Sequence, residues 1–137
     1  YRKTSARLAA RAKLLVRERL MTNGAEAAKT EFTVYLEGED SGADLVSRSV
    51  AKGRSHQEFV SRIVGTTRCT GHSECDAILA DKATVVATPA LEAAHLDASL
   101  IHEAAIGKIA GEQLMKLRTL GLTEEQAEEK IIAGFLK

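Results

Sequence analysis

The feature that most constrains this chain is an alternation of apolar and charged residues that starts near its N-terminus and keeps returning. Ala6, Leu8, Ala10, Ala12, Leu14, Val16 and Leu20 alternate with Arg7, Arg11, Lys13, Arg17 and Arg19. A period of two puts apolar groups on one face and charges on the other, which is strand behaviour. An Arg-rich, acid-poor start also suits a transit peptide or a basic helix, but the phase favours strands. The pattern recurs in Thr30–Glu37, where Phe32, Val34 and Leu36 oppose Glu31, Thr33, Tyr35 and Glu37.

An internal echo sharpens the reading. Leu45-Val46-Ser47-Arg48-Ser49-Val50 returns fourteen residues later as Phe59-Val60-Ser61-Arg62-Ile63-Val64. Each copy carries Val, Arg, Val on one parity and ends in a turn, first Lys52-Gly53-Arg54-Ser55, then Gly65-Thr66-Thr67. Asn23-Gly24, Glu39-Asp40-Ser41-Gly42 and Asp81-Lys82 punctuate the rest. Recurrent strands without helical crossovers suit stacked coils or a β-sandwich. The echo favours coils, so the expected fold is mainly β, with coils stacked as in a β-helix, and a β-sandwich plus helices is the alternative.

The character changes near Pro89, the only proline. Leu91–Asp97 reads as a linker or short turn of helix, and Ala98–Ile106 is compatible with continued extended chain. Ile109–Thr119 reads as a helix ended by Gly121, and Thr123-Glu124-Glu125-Gln126 is a capping box. The second helix is expected to bury Ala127, Ile131, Ile132 and Phe135. These signals divide the chain into a β-helix core over 1–97 and a helical subdomain over 98–137.

Composition narrows the function classes. Nineteen basic residues balance nineteen acidic ones, so no whole-chain field attracts nucleic acid or anionic lipid. Two cysteines are too few for a secreted disulfide framework, which points to a reducing, cytoplasmic setting. No apolar run approaches the ~20 residues of a membrane span. The charged first residues do not resemble a secretory leader, and a start on Tyr1 suits a fragment or processed form. Phosphate-binding loops, dinucleotide fingerprints, nucleophile elbows and zinc-protease motifs are all missing, so any ATP use would belong to a partner.

Two segments could carry chemistry. Arg68-Cys69-Thr70-Gly71-His72-Ser73-Glu74-Cys75-Asp76 holds Cys69, His72 and Cys75, which are zinc-type donors. On a strand the two thiols share a face and His72 points away, so one ion would require the strand to break near Gly71. The alternative is a pair of small buried thiols that pack as hydrophobes. His102-Glu103, set among Ile101, Ala104, Ala105 and Ile106, could hold iron, relay a proton or satisfy hydrogen bonds at a buried junction. His56 and His95 lie in polar or linker surroundings and carry no expected role.

Three runs closely resemble the SufB/SufD family: Arg54–Ile63 continued by Cys69–Ile78, Leu100–Leu114 around His102-Glu103, and Gly121–Ala127 ending in Gly134-Phe135. The resemblance implies a right-handed β-helix followed by a small helical domain, and a non-catalytic scaffold for iron–sulfur cluster assembly. It implies that Cys75 matches a sulfur acceptor, and that His102 and Glu103 match residues at the interface of paired scaffold subunits. Cys75, His102 and Glu103 would then be the iron donors of a nascent, transient cluster, with no tightly bound cofactor. The implied partners are a SufC-type ABC ATPase docked around Lys116, Leu117, Leu120 and Leu122, a second SufB/SufD-type subunit or another copy of the chain, and a cysteine desulfurase with its sulfur relay protein. The position before His102, usually acidic in SufB, is Ile101 here. A SufD-like subunit that ligates no cluster is therefore the alternative.

Overall fold

A computed structural model describes the chain from Tyr1 to Lys137. Its strands are β1 (Arg2–Leu8), β2 (Lys13–Thr22), β3 (Ala27–Leu36), β4 (Ser41–Ala51), β5 (His56–Gly65), β6 (Cys69–Leu79), β7 (Thr84–Ala93) and β8 (Ala98–Lys108). Two helices follow, α1 (Gly111–Thr119) and α2 (Glu124–Phe135). Odd-numbered strands form one sheet in the order β1-β3-β5-β7, and even-numbered strands form another in the order β2-β4-β6-β8. Each strand pairs in parallel with the next but one, so two strands make a coil and the coils stack as a β-solenoid. A β-sandwich is excluded, because its hairpin-linked strands would pair antiparallel.

The register explains the echo. Asp44 sits beside His72, 28 residues further on, so the fourteen-residue spacing is half a coil. The two copies therefore fall on β4 and β5, in opposite sheets. Leu45, Phe59 and Ile63 turn inward and join Phe32, Val34, Leu36 and Cys75 in one core. Val46, Val50 and Val64 take the other parity and are buried outside that core. Leu36, Leu45 and Ile63 are wholly buried, and such burial is worth about 1.5–3 kcal/mol per side chain.

Several polar groups inside the solenoid are paired with one another, although Ser41 Oγ is buried without a partner. The buried Glu18 carboxylate accepts hydrogen bonds from Arg2 (2.6 Å), Ser47 (2.8 Å) and Thr30 (3.1 Å). Gln57 donates to Thr22 Oγ1 at 2.8 Å and to the Val50 carbonyl at 3.0 Å. The coil corners repeat as well. Gly24, Gly53 and Asp81 all have left-handed backbones, with φ of 58°, 68° and 58°. Gly53 N–H donates to Asp81 Oδ2 at 2.9 Å, and a Cβ on Gly53 would lie 2.8 Å from the Gly24 nitrogen. Glycine is needed at this corner for both its backbone and its bulk.

The C-terminal part differs from expectation in two places. Strand β7 runs on to Ala93, so most of Leu91–Asp97, expected as linker or helical turn, is strand or its following turn. Strand β8 then pairs with β6 from Ala98 to Lys108, which puts the expected boundary at 98 at the start of a solenoid strand. The difference comes from Pro89. Proline is tolerated on an edge strand, and β7 is one.

The helical hairpin follows its sequence signals. Gly121 has φ 91°, and the capping box joins Gln126 N–H to Thr123 Oγ1 (3.2 Å) and Thr123 N–H to Gln126 Oε1 (2.9 Å). Ala127 and Ile132 are buried, while Ile131 and Phe135 are half-buried. Arg19 of β2 donates to the carbonyls of Leu136 (3.0 Å) and Lys137 (3.1 Å), and Lys52 pairs with Glu128 at 2.7 Å. These contacts hold α2 against the outside of the even-numbered sheet.

Candidate functional site: two faces of strand β6

Strand β6 carries most of the candidate residues and is unbroken from Cys69 to Leu79. Cys69, Ser73 and Cys75 are buried on its inner face, and His72, Glu74 and Asp76 alternate with them on the outer face. The thiols are six residues apart on an extended strand, roughly 20 Å. Cys69, His72 and Cys75 therefore cannot hold one zinc ion. The packed-thiol alternative is what the fold contains.

Both thiols are reduced and shielded. Burial raises the Cys69 pKa. Cys75, 1% exposed, is pushed up to about 11 by burial first and then by the charges of Asp76 and Glu18. A nucleophilic or metal-binding cysteine needs the opposite environment.

His102 and Glu103 are neighbours on β8 and so point to opposite sides of the sheet. His102 pairs in register with Ser73 on the inner parity, and Glu103 pairs with Glu74 on the outer. The β8 residue beside Cys75 is Ala104. Cys75, His102 and Glu103 therefore do not converge within one chain. His102 Nδ1 is buried without a hydrogen-bond partner beside the uncovered end of the last coil.

The outer face gathers a different group. His72 Nδ1 lies 2.7 Å from Asp44 Oδ1, and His72 Nε2 lies 2.9 Å from Glu103 Oε2. Ligand atoms of His72, Glu74 and Glu103 all fall within 4.8 Å of one another. The His72 pKa is raised, chiefly by its bond to Asp44 and then by Glu103. At Asp44, burial alone would raise the pKa, but hydrogen bonds from His72 and Arg17 outweigh it and the net shift is downward. The Glu74 pKa is raised, first by a hydrogen bond shared with Asp76. Arg48 faces both acids, at 3.8 Å from Glu74 and 3.9 Å from Asp76.

The core domain of the SufB and SufD proteins, of the SUF system for FeS cluster assembly, matches residues 2–135. The chain belongs to the SufBD family. It is 42% identical over 105 residues to an iron–sulfur cluster assembly SufBD family protein of Methanothermobacter thermautotrophicus, a match covering 75% of this chain and 26% of that one. A SufBD family protein of Archaeoglobus fulgidus is 38% identical over 74% of this chain and 28% of its own. One from Pyrococcus horikoshii is 37% identical over 81% of this chain and 34% of its own. The chain thus spans about a quarter to a third of the length of these curated relatives. No helix in this SufBD chain is long and apolar enough to cross a membrane.

In the hairpin of this SufBD domain, a cleft of about 660 Å³ is lined by Leu114, Met115, Arg118, Leu122 and Glu124, among others. Of the expected docking residues, Leu122 lines it, Lys116 and Leu120 are exposed nearby, and Leu117 is half-buried. Met115, exposed and on the cleft, was missed, as was the grouping of Asp44 with His72 and Glu103. The coil period of 28 would have brought Asp44 to His72, but the sequence advertises only its half.

Proposed function

We propose that this SufBD-family chain is part of a cytoplasmic scaffold subunit on which a nascent iron–sulfur cluster is assembled. In this reading the last coil receives a second solenoid subunit or another copy of the chain. The hairpin cleft receives a SufC-type ABC ATPase, and sulfur comes from a cysteine desulfurase through its relay protein. The chain itself performs no catalysis. The observation that carries the reading is the uncovered end of the solenoid. Strands β7 and β8 each have one free edge, and Pro89, Leu91, Ala104 and Ile106, on the parity that is core in earlier coils, are exposed there beside His102. Unpaired parallel strands above an apolar floor are a template for further pairing.

A second reading is favoured by Cys75, whose sulfur lies in packed core rather than at that end. The chain then holds its partners and ligates no cluster. One experiment separates the two. The full-length protein is purified with its ATPase, and its mass is read by light scattering for wild type and for Leu91→Lys/Ile106→Lys. Iron and sulfide are then measured after anaerobic reconstitution for wild type, Cys75→Ala and His102→Ala. Pairing predicts a dimer that the double lysine variant splits, and a monomeric wild type overturns it. Cluster loss in Cys75→Ala supports the acceptor role, and an unchanged yield in both single variants establishes the non-ligating subunit.

A further inference from the structure

We propose that the outer face of the even-numbered sheet carries a binding site for one divalent first-row transition cation. His72, Glu74 and Glu103 are its donors, and Asp44 orients the imidazole. The site lies on a single chain and on the face opposite Cys75 and His102, and it shares with the iron donors implied by the family resemblance only Glu103.

The fold builds the site from three adjacent strands. Asp44 on β4 pairs in register with His72 on β6, and Glu74, two residues along β6, pairs with Glu103 on β8. Neighbouring strands lie about 4.8 Å apart, so side chains across β6 and β8 reach a common point above the sheet. Asp44 Oδ1 occupies Nδ1 of His72 at 2.7 Å and leaves Nε2 aimed at Glu103 Oε2, 2.9 Å away. A carboxylate on the far nitrogen of a ligating histidine fixes the tautomer and raises the basicity of the ring. Arg17 neutralises Asp44 from the other side at 2.6 Å, so Asp44 acts as orienter and not as a fourth donor.

The donor set selects the class of ion. One imidazole nitrogen with two carboxylates suits Fe(II), Mn(II) or Zn(II) better than Mg(II) or Ca(II), which prefer all-oxygen shells. Two carboxylates and a neutral imidazole balance the double positive charge. Three protein donors leave positions open to water or an incoming ligand, and side-chain exposures of 31% for His72 and 66% for Glu103 keep the ion exchangeable. Ferrous iron is the first ion to test, because the SufBD family belongs to a system for FeS cluster assembly.

The test uses the full-length protein under anaerobic conditions, with Fe(II) alone followed by calorimetry and Co(II) alone followed by visible absorption. The expected result is one saturable equivalent in wild type. His72→Ala and Glu103→Gln should each weaken binding at least about 10-fold, and Asp44→Asn about 10- to 100-fold. Glu92→Gln, an acid ion-paired with Arg62 on the odd-numbered sheet, should leave the affinity unchanged. Glu103→Gln alters an exposed, isosteric side chain and decides the matter if His72→Ala fails to fold. The proposal is overturned by no saturable first equivalent, by wild-type affinity in Glu103→Gln, or by lost binding in Glu92→Gln.

Discussion

Two coils of this solenoid carry the same alternation and end in different environments. In β4 nearly every residue is buried, whereas β8 alternates between half-buried and exposed at first and is exposed from Glu103 to Lys108. Composition does not explain the contrast, since β8 offers Leu100, Ala104 and Ile106 on its inward parity just as β4 offers Ala43 and Leu45. Position does. An inward side chain of a middle coil is covered by coils on both sides, and one in the last coil on one side only. The same residue pattern therefore makes core in one place and an exposed apolar surface in the other.

The sharpest way to break that comparison is to truncate matched positions. Ile63, wholly buried, pairs in register with Leu91 on the last coil, which is 39% exposed. Ile63→Ala should cost about 2–5 kcal/mol by urea denaturation, and Leu91→Ala less than about 1 kcal/mol. Equal losses would mean that the last coil is covered in solution.

Thiol chemistry tests the sealed middle from the inside. A Cys75 pKa of about 11 in place of 9.0 leaves roughly 100-fold less thiolate near neutral pH. Alkylation of the native protein should therefore be at least about 100-fold slower than that of the urea-unfolded chain, followed by mass spectrometry. Rapid native labelling of Cys75 would show that the core opens and would favour the thiol as an acceptor.

The smallest expected effect lies in the hairpin. Thr123→Ala removes the side chain that accepts from Gln126 N–H and should cost about 0.5–2 kcal/mol in thermal denaturation. No change at all would mean that the hairpin melts before the solenoid and contributes nothing to the measured transition.

The strands were legible in the sequence because burial on one face imposes a period of two, and Thr30–Glu37 shows it without interruption. The hairpin was legible because capping is local: Gly121 and Thr123-Gln126 act within a few residues of themselves. The end of the solenoid was misplaced, since an edge-strand proline looks like a terminator until its neighbours are known.

The site was readable only in part. Sequence parity alone separates Cys69 and Cys75 from His72, and His102 from Glu103, because adjacent strand residues face opposite ways. Which distant residue meets which was decided by the stacking of coils. The sequence by itself determined a two-faced, repeating strand architecture and a capped helical tail, through local backbone preference and apolar periodicity. The tertiary structure alone decided that Asp44, His72, Glu74 and Glu103 meet and that Cys75 is sealed, because parallel register brings together residues a full coil apart.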